Sequence, residues 1–151
     1  MWQRFPMLIV GVILGCGGLT TLLAKPPSRI QWSYDIKAAY KVAAKQKKPL
    51  LIVVGGPGCG YCKLMDQNTL CDPALVDFVN KRFVAVHLDY ERNRKECEIL
   101  QVESLPTTIV LSTDAEVLGE MVGYRDKSKF RIGLNDALKA SQELQTAGAE
   151  K

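Results

Sequence analysis

The sequence predicts an α/β fold, a central mixed sheet flanked by helices, and three observations carry that expectation. Leu50 to Val54 is a continuous apolar run of strand length, as a strand covered on both faces requires. A second long strand, Phe83 to Asp89, is separated from it by segments of helical character, which implies parallel pairing through crossover helices. Two further strand-like runs, Thr107 to Leu111 and Val117 to Val122, flank a short turn at Asp114-Ala115-Glu116, so the sheet closes with an antiparallel hairpin.

In chain order, a short strand is expected around Ile30 to Ser33. A helix follows from Asp35, where Ile36, Ala39, Tyr40 and Ala43 recur on one face, and it ends near Lys48-Pro49. After the first long strand, Gly55-Gly56-Pro57-Gly58 breaks the run, and a helix should begin at Cys59 and reach towards Leu70. Asp72-Pro73 reads as an N-cap with proline at the first helical position, opening a helix through about Asn80. Beyond the second long strand, a polar helix is expected over Glu91 to Leu100. Pro106 precedes the third strand. Gly123 and Asp126 lead to a last helix with Phe130, Leu134, Ala137, Leu138 and Ser141 on one side, and the tail over 144–151 reads as frayed.

The N-terminal stretch reads as lying outside the fold. Arg4 is followed by twenty uncharged residues, Phe5 to Ala24, and then by a Pro-containing linker over 25–30. A basic start with an apolar stretch reads as an export signal, and its length also suits a membrane anchor. A third reading is a lipoprotein signal, because Val12-Ile13-Leu14-Gly15-Cys16 resembles a bacterial lipobox with Cys16 as the lipidated residue, although Leu19, Leu22 and Leu23 keep the segment apolar past it. All three place the folded part, 31–143, outside the cytoplasm, in the periplasm or on the extracytoplasmic face of the membrane. Lys and Arg number 20 against 16 Asp and Glu, a mild excess whose only short run, Lys45 to Lys48, sits at a predicted helix end. No basic stripe is interleaved with aromatics, so nucleic-acid binding is not expected.

The chemistry centres on Cys59-Gly60-Tyr61-Cys62. Alone, two cysteines at this spacing also suit half a zinc site or a structural disulfide. Here they follow a buried strand and a Gly/Pro turn and open a helix, where unpaired N–H groups and the dipole lower a thiol pKa. The second sulfur falls one turn along, placed to attack a mixed disulfide formed by the first. Cys59 is therefore the expected attacking thiolate and Cys62 the resolving thiol. The redox-active disulfide itself is the working group, with no metal or other cofactor expected. Cys71 and Cys97 lack the close spacing of a second zinc-binding pair. Linking them would close a long loop and contribute roughly 3–4 kcal/mol; two partly buried free thiols are the alternative, and the one the predicted layering favours. His87, the only histidine, is expected to be a satisfied structural residue.

From about Gln31 to Leu138 the chain resembles the thioredoxin superfamily, on Lys48-Pro49, Cys59 to Lys63 and Leu105-Pro106-Thr107. With the Leu-Cys-Asp-Pro step at residues 70–73, it is most similar to the C-terminal thioredoxin-like domain of the thiol:disulfide interchange protein DsbD. The resemblance implies that Pro106 is a cis-proline lying against the cysteine pair, and that Leu105 and Thr107, with Gly60 and Tyr61, meet an incoming peptide. It also implies protein disulfides as substrates, a membrane-embedded electron donor, and reductase or interchange rather than oxidase activity. The Gly-Tyr dipeptide is also that of the disulfide isomerase DsbC, but this chain has no room for a dimerisation domain, and a monomer is expected. Two departures matter. Gly58 replaces the Trp usual before the first cysteine, and Val53 falls where thioredoxins bury an acid. Asp66, one turn after Cys62, is the candidate to move its proton; a solvated helix carboxylate is the competing reading. The rival functions are a disulfide isomerase and a non-catalytic thioredoxin-like thiol or metal-binding module.

Overall fold

The computed structural model describes residues 29–149. Cys16, the segment 1–24 and most of the linker lie outside the described residues. Five strands, β1 (Trp32–Ser33), β2 (Leu50–Gly55), β3 (Val84–Asp89), β4 (Thr107–Leu111) and β5 (Val117–Val122), form one sheet in the order β1-β3-β2-β4-β5. The pairs β1·β3 and β2·β3 are parallel, whereas β2·β4 and β4·β5 are antiparallel. The expected mixed sheet is thus present, with β2 at its centre.

The side-chain alternation of β2 explains why its sequence is apolar throughout. Leu51 and Val53 join one core with Met65, Leu75, Val76, Phe130 and Leu134. Leu50, Ile52 and Val54 join a second core, on the opposite face, with Ala39, Ala43 and Cys97. Helices α2 (Gly60–Asn68), α3 (Pro73–Arg82) and α5 (Lys127–Ala149) supply the first layer; α1 (Ile36–Gln46) and α4 (Arg94–Ile99) supply the second.

Local signals fix the helix starts. The Asp35 carboxylate accepts from the N–H groups of Lys37 and Ala38 at 2.9 and 3.0 Å. Asp72 accepts from the Leu75 N–H at 3.0 Å, with Pro73 at the first helical position. Asp126 does the same for Ser128 and Lys129, opening α5.

Three boundaries differ from expectation. Helix α4 starts at Arg94 rather than Glu91, because Asp89 and Asn93 close a turn first. The Asp89 side chain accepts from the Arg92 N–H at 3.0 Å, and the Asn93 side chain accepts from the Asp89 N–H at 3.2 Å. Residues 144–149, expected to fray, continue α5; Ala, Gln and Leu favour that continuation, although the buried face ends at Ser141. Ile30, assigned to the linker, is only 2% exposed and belongs to the core.

Candidate active site

The site is built where β2 ends. Gly55 closes the strand, and Gly58 turns the chain with φ +80°, a conformation that a residue with a Cβ rarely adopts. The Cys59 N–H donates to Gly56 O at 3.3 Å, so the turn is hydrogen-bonded before α2 begins. Cys59 is the N-cap of α2, and its Sγ accepts the Cys62 N–H at 3.1 Å. Its sulfur therefore occupies the place of a capping oxygen, on a donor the helix leaves unpaired.

Cys62 lies one turn further and is 9% exposed, whereas Cys59 is half-buried and Tyr61 is 66% exposed. Cys59 and Cys62 are joined as a disulfide, with their Cα atoms 5.3 Å apart. The intervening Gly60 and Tyr61 both face solvent.

Leu105-Pro106 reaches the site from the other side. The bond between them is cis. A Cβ on Gly56 would stand 3.3 Å from Leu105 Cδ1, which places Leu105 against the turn that precedes Cys59. The Pro106 carbonyl accepts the Gly123 N–H at 2.7 Å, tying the loop to the end of β5. Thr107 opens β4 directly after this loop. It is 1% exposed, and its hydroxyl donates to Ser104 O at 2.7 Å.

Behind the disulfide, a cavity of about 380 Å³ is lined by Cys59, Cys62, Lys63, Asp66, His87 and Asp89, with glycines of the preceding turn. Asp66 keeps part of its surface in solvent. Desolvation nevertheless raises its carboxyl above the usual range, while the His87 charge pulls it back down. The structure thus brings Asp66 to the cysteine pair, and it adds His87, which was assigned a structural role. The reason is register. His87 pairs with Val53 on the neighbouring strand, a position at the cleft that only the strand alignment defines.

Cys71 and Cys97 are free thiols. Cys71 is exposed and donates to Gln67 O at 2.8 Å, so it is not half-covered as expected. Cys97 is buried within the core shared by α1 and α4, and burial, reinforced by Glu96 and Asp89, pushes its thiol up. Leu70, the neighbour of Cys71, packs on the other face of the sheet, and this layering separates the two sulfurs. Among the described residues, no cluster of three or more His, Cys, Asp or Glu could hold a metal ion.

A dithiol that closes across the first turn of a helix, beside a cis-proline loop on a mixed five-stranded sheet, is the arrangement of a thioredoxin-fold redox protein. The chain belongs to the thioredoxin-like domain family, whose model matches residues 36–138. A curated relative, an uncharacterized protein of Archaeoglobus fulgidus, is 24% identical over 74 residues, 49% of this chain. The match spans 58% of that relative's length. Among solved structures, a thioredoxin from Thermus thermophilus is similar with a TM-score of 0.69 and 21% identity, covering 75% of this chain and 90% of that one. The oxidoreductase DsbH is similar with a TM-score of 0.65 and 17% identity, covering 76% and 88%. At such identities the likeness is one of fold.

Proposed function

We propose that this chain is an exported thiol–disulfide oxidoreductase that reduces or interchanges protein disulfides through Cys59 and Cys62. The observation that carries the reading is the inequality of the two sulfurs. Cys59 caps the helix at the edge of the cleft, and Cys62 is covered behind it. A thiolate at Cys59 would be stabilised by the helix N-terminus and reachable by a substrate disulfide. Its attack yields a mixed disulfide, and Cys62 then attacks Cys59, releasing the reduced substrate and leaving the protein oxidised.

In this reading Leu105 and the Pro106 loop hold an extended peptide beside Cys59 from one side, and Gly60 and Tyr61 meet it from the other. The reducing direction is supported by Tyr61, which brings no positive charge next to Cys59, so the dithiol state gains less than a neighbouring imidazolium would give it. Export is supported by the apolar segment Phe5 to Ala24, and a reductase in an oxidising compartment needs an electron donor embedded in the membrane. The protein acts as a monomer in this reading.

The test is trapping. Cys62→Ala should accumulate mixed disulfides with protein substrates through Cys59, whereas Cys59→Ala should accumulate none. Equal trapping by both variants would contradict the division of roles.

A further inference from the structure

The resolving step leaves a proton to be placed. Strand β2, which leads into the site, carries no titratable side chain over Leu50–Gly55. The structure instead puts an imidazole at the buried sulfur. A Cβ on Gly55 would stand 3.5 Å from Cys62 Sγ and 3.6 Å from His87 Cε1, so both groups crowd the same point of the backbone. Asp66 lines the same cavity from α2, one turn beyond Cys62.

We propose that His87, backed by Asp66, takes the proton of the Cys62 thiol during resolution and returns it when the disulfide is reduced; this rests on the roles of Cys59 and Cys62 given above. The Cys62 thiol gives its proton to a ring nitrogen of His87, directly or through one water that the cavity admits. The sulfur electron pair forms the Sγ–Sγ bond with Cys59. The bond between Cys59 and the substrate sulfur breaks, and the substrate leaves as a thiolate that takes a proton from solvent. Two electrons pass from the protein dithiol to the substrate disulfide.

The Asp66 carboxylate stabilises the imidazolium so formed. Desolvation raises the Asp66 carboxyl and the His87 charge lowers it, so the two side chains lie within electrostatic reach of each other. The other titratable groups facing His87 are Lys63 from α2, which opposes its positive form, Asp89 from its own strand, which favours it, and Tyr34 from the segment before α1, with ring centroids 6.5 Å apart. The His87 ring also packs edge-on against Trp32, with centroids 5.5 Å apart. That contact explains how the ring is held. A purely packing role would move stability and leave the pH dependence of resolution untouched.

The test separates the two attacks. Reduced protein carrying Cys16→Ser and Cys71→Ser, which leaves only the pair and the buried Cys97, is mixed with the aryl disulfide dithiobis(nitrobenzoate), and release of the coloured thiolate is followed across pH. The first equivalent reports attack by Cys59, and the second reports resolution by Cys62. In His87→Gln the first phase should stay within about twofold. The second should slow by at least about tenfold near pH 7, lose its dependence between pH 5 and 8, and recover in part when imidazole is added. Asp66→Asn should slow the second phase less, and the double variant should be no slower than His87→Gln. An unchanged second phase and pH profile in His87→Gln would overturn the proposal. So would equal slowing of both phases with a lowered unfolding midpoint and no rescue by imidazole. Release of a single equivalent by the Cys16→Ser, Cys71→Ser protein with His87 intact would contradict the two-cysteine reading itself.

Discussion

At the scale of single residues, the two sulfurs differ through backbone position more than through their neighbours' identity. Cys59 is the N-cap of α2, where its sulfur already accepts an N–H; Cys62 is inside the helix, covered and facing the cavity. Alkylation of Cys59 in the Cys62→Ala variant should therefore reach half its maximal rate well below the free-cysteine value of about 8.5. A profile centred at or above that value would remove the helix N-terminus as the activating group. The two cysteines were legible from their local spacing, and Pro106 from the resemblance of Leu105-Pro106-Thr107 to a cis-proline loop. His87 was not legible. Its place beside Cys62 follows from pairing with Val53 across two strands, and no local pattern encodes that register.

At the scale of elements, the helices are fixed by carboxylate caps whose charge matters. Hydrogen bonds to the Leu75 N–H and then to Lys127 lower the Asp72 carboxyl, and hydrogen bonds to the Lys129 and Ser128 N–H groups do the same for Asp126. A carboxyl lowered in the folded state stabilises the fold above its unfolded value of about 3.9, and that contribution fades as pH falls through the folded value. Urea unfolding should therefore show stability falling with acid below about pH 4, and Asp72→Asn with Asp126→Asn should flatten that limb. An unchanged acid limb in the double variant would mean that the caps contribute nothing through their charge. These caps were readable in advance, since Asp-Pro and Asp before an apolar period are local signals. The start of α4 was not, because the turn closed by Asp89 and Asn93 competes with helix over residues of similar propensity.

At the scale of the whole molecule, the sheet order puts the end of β2 at the centre of the fold, with the cysteine turn on one side and the Pro106 loop on the other. Two cores, one on each face of the sheet, hold that junction in place. The redox poise of the pair depends on how the site stabilises the dithiol against the disulfide. The proposed function has Cys59 activated by the helix N-terminus, and the couple reducing because the residues between the cysteines bring no cation. Equilibration of Cys59/Cys62 with glutathione tests this most directly. The account predicts a potential nearer the thioredoxin value of about −270 mV than the DsbA value of about −120 mV, with insulin disulfides reduced when dithiothreitol is the donor. A potential above about −150 mV on that scale, together with failure to reduce insulin, would contradict it.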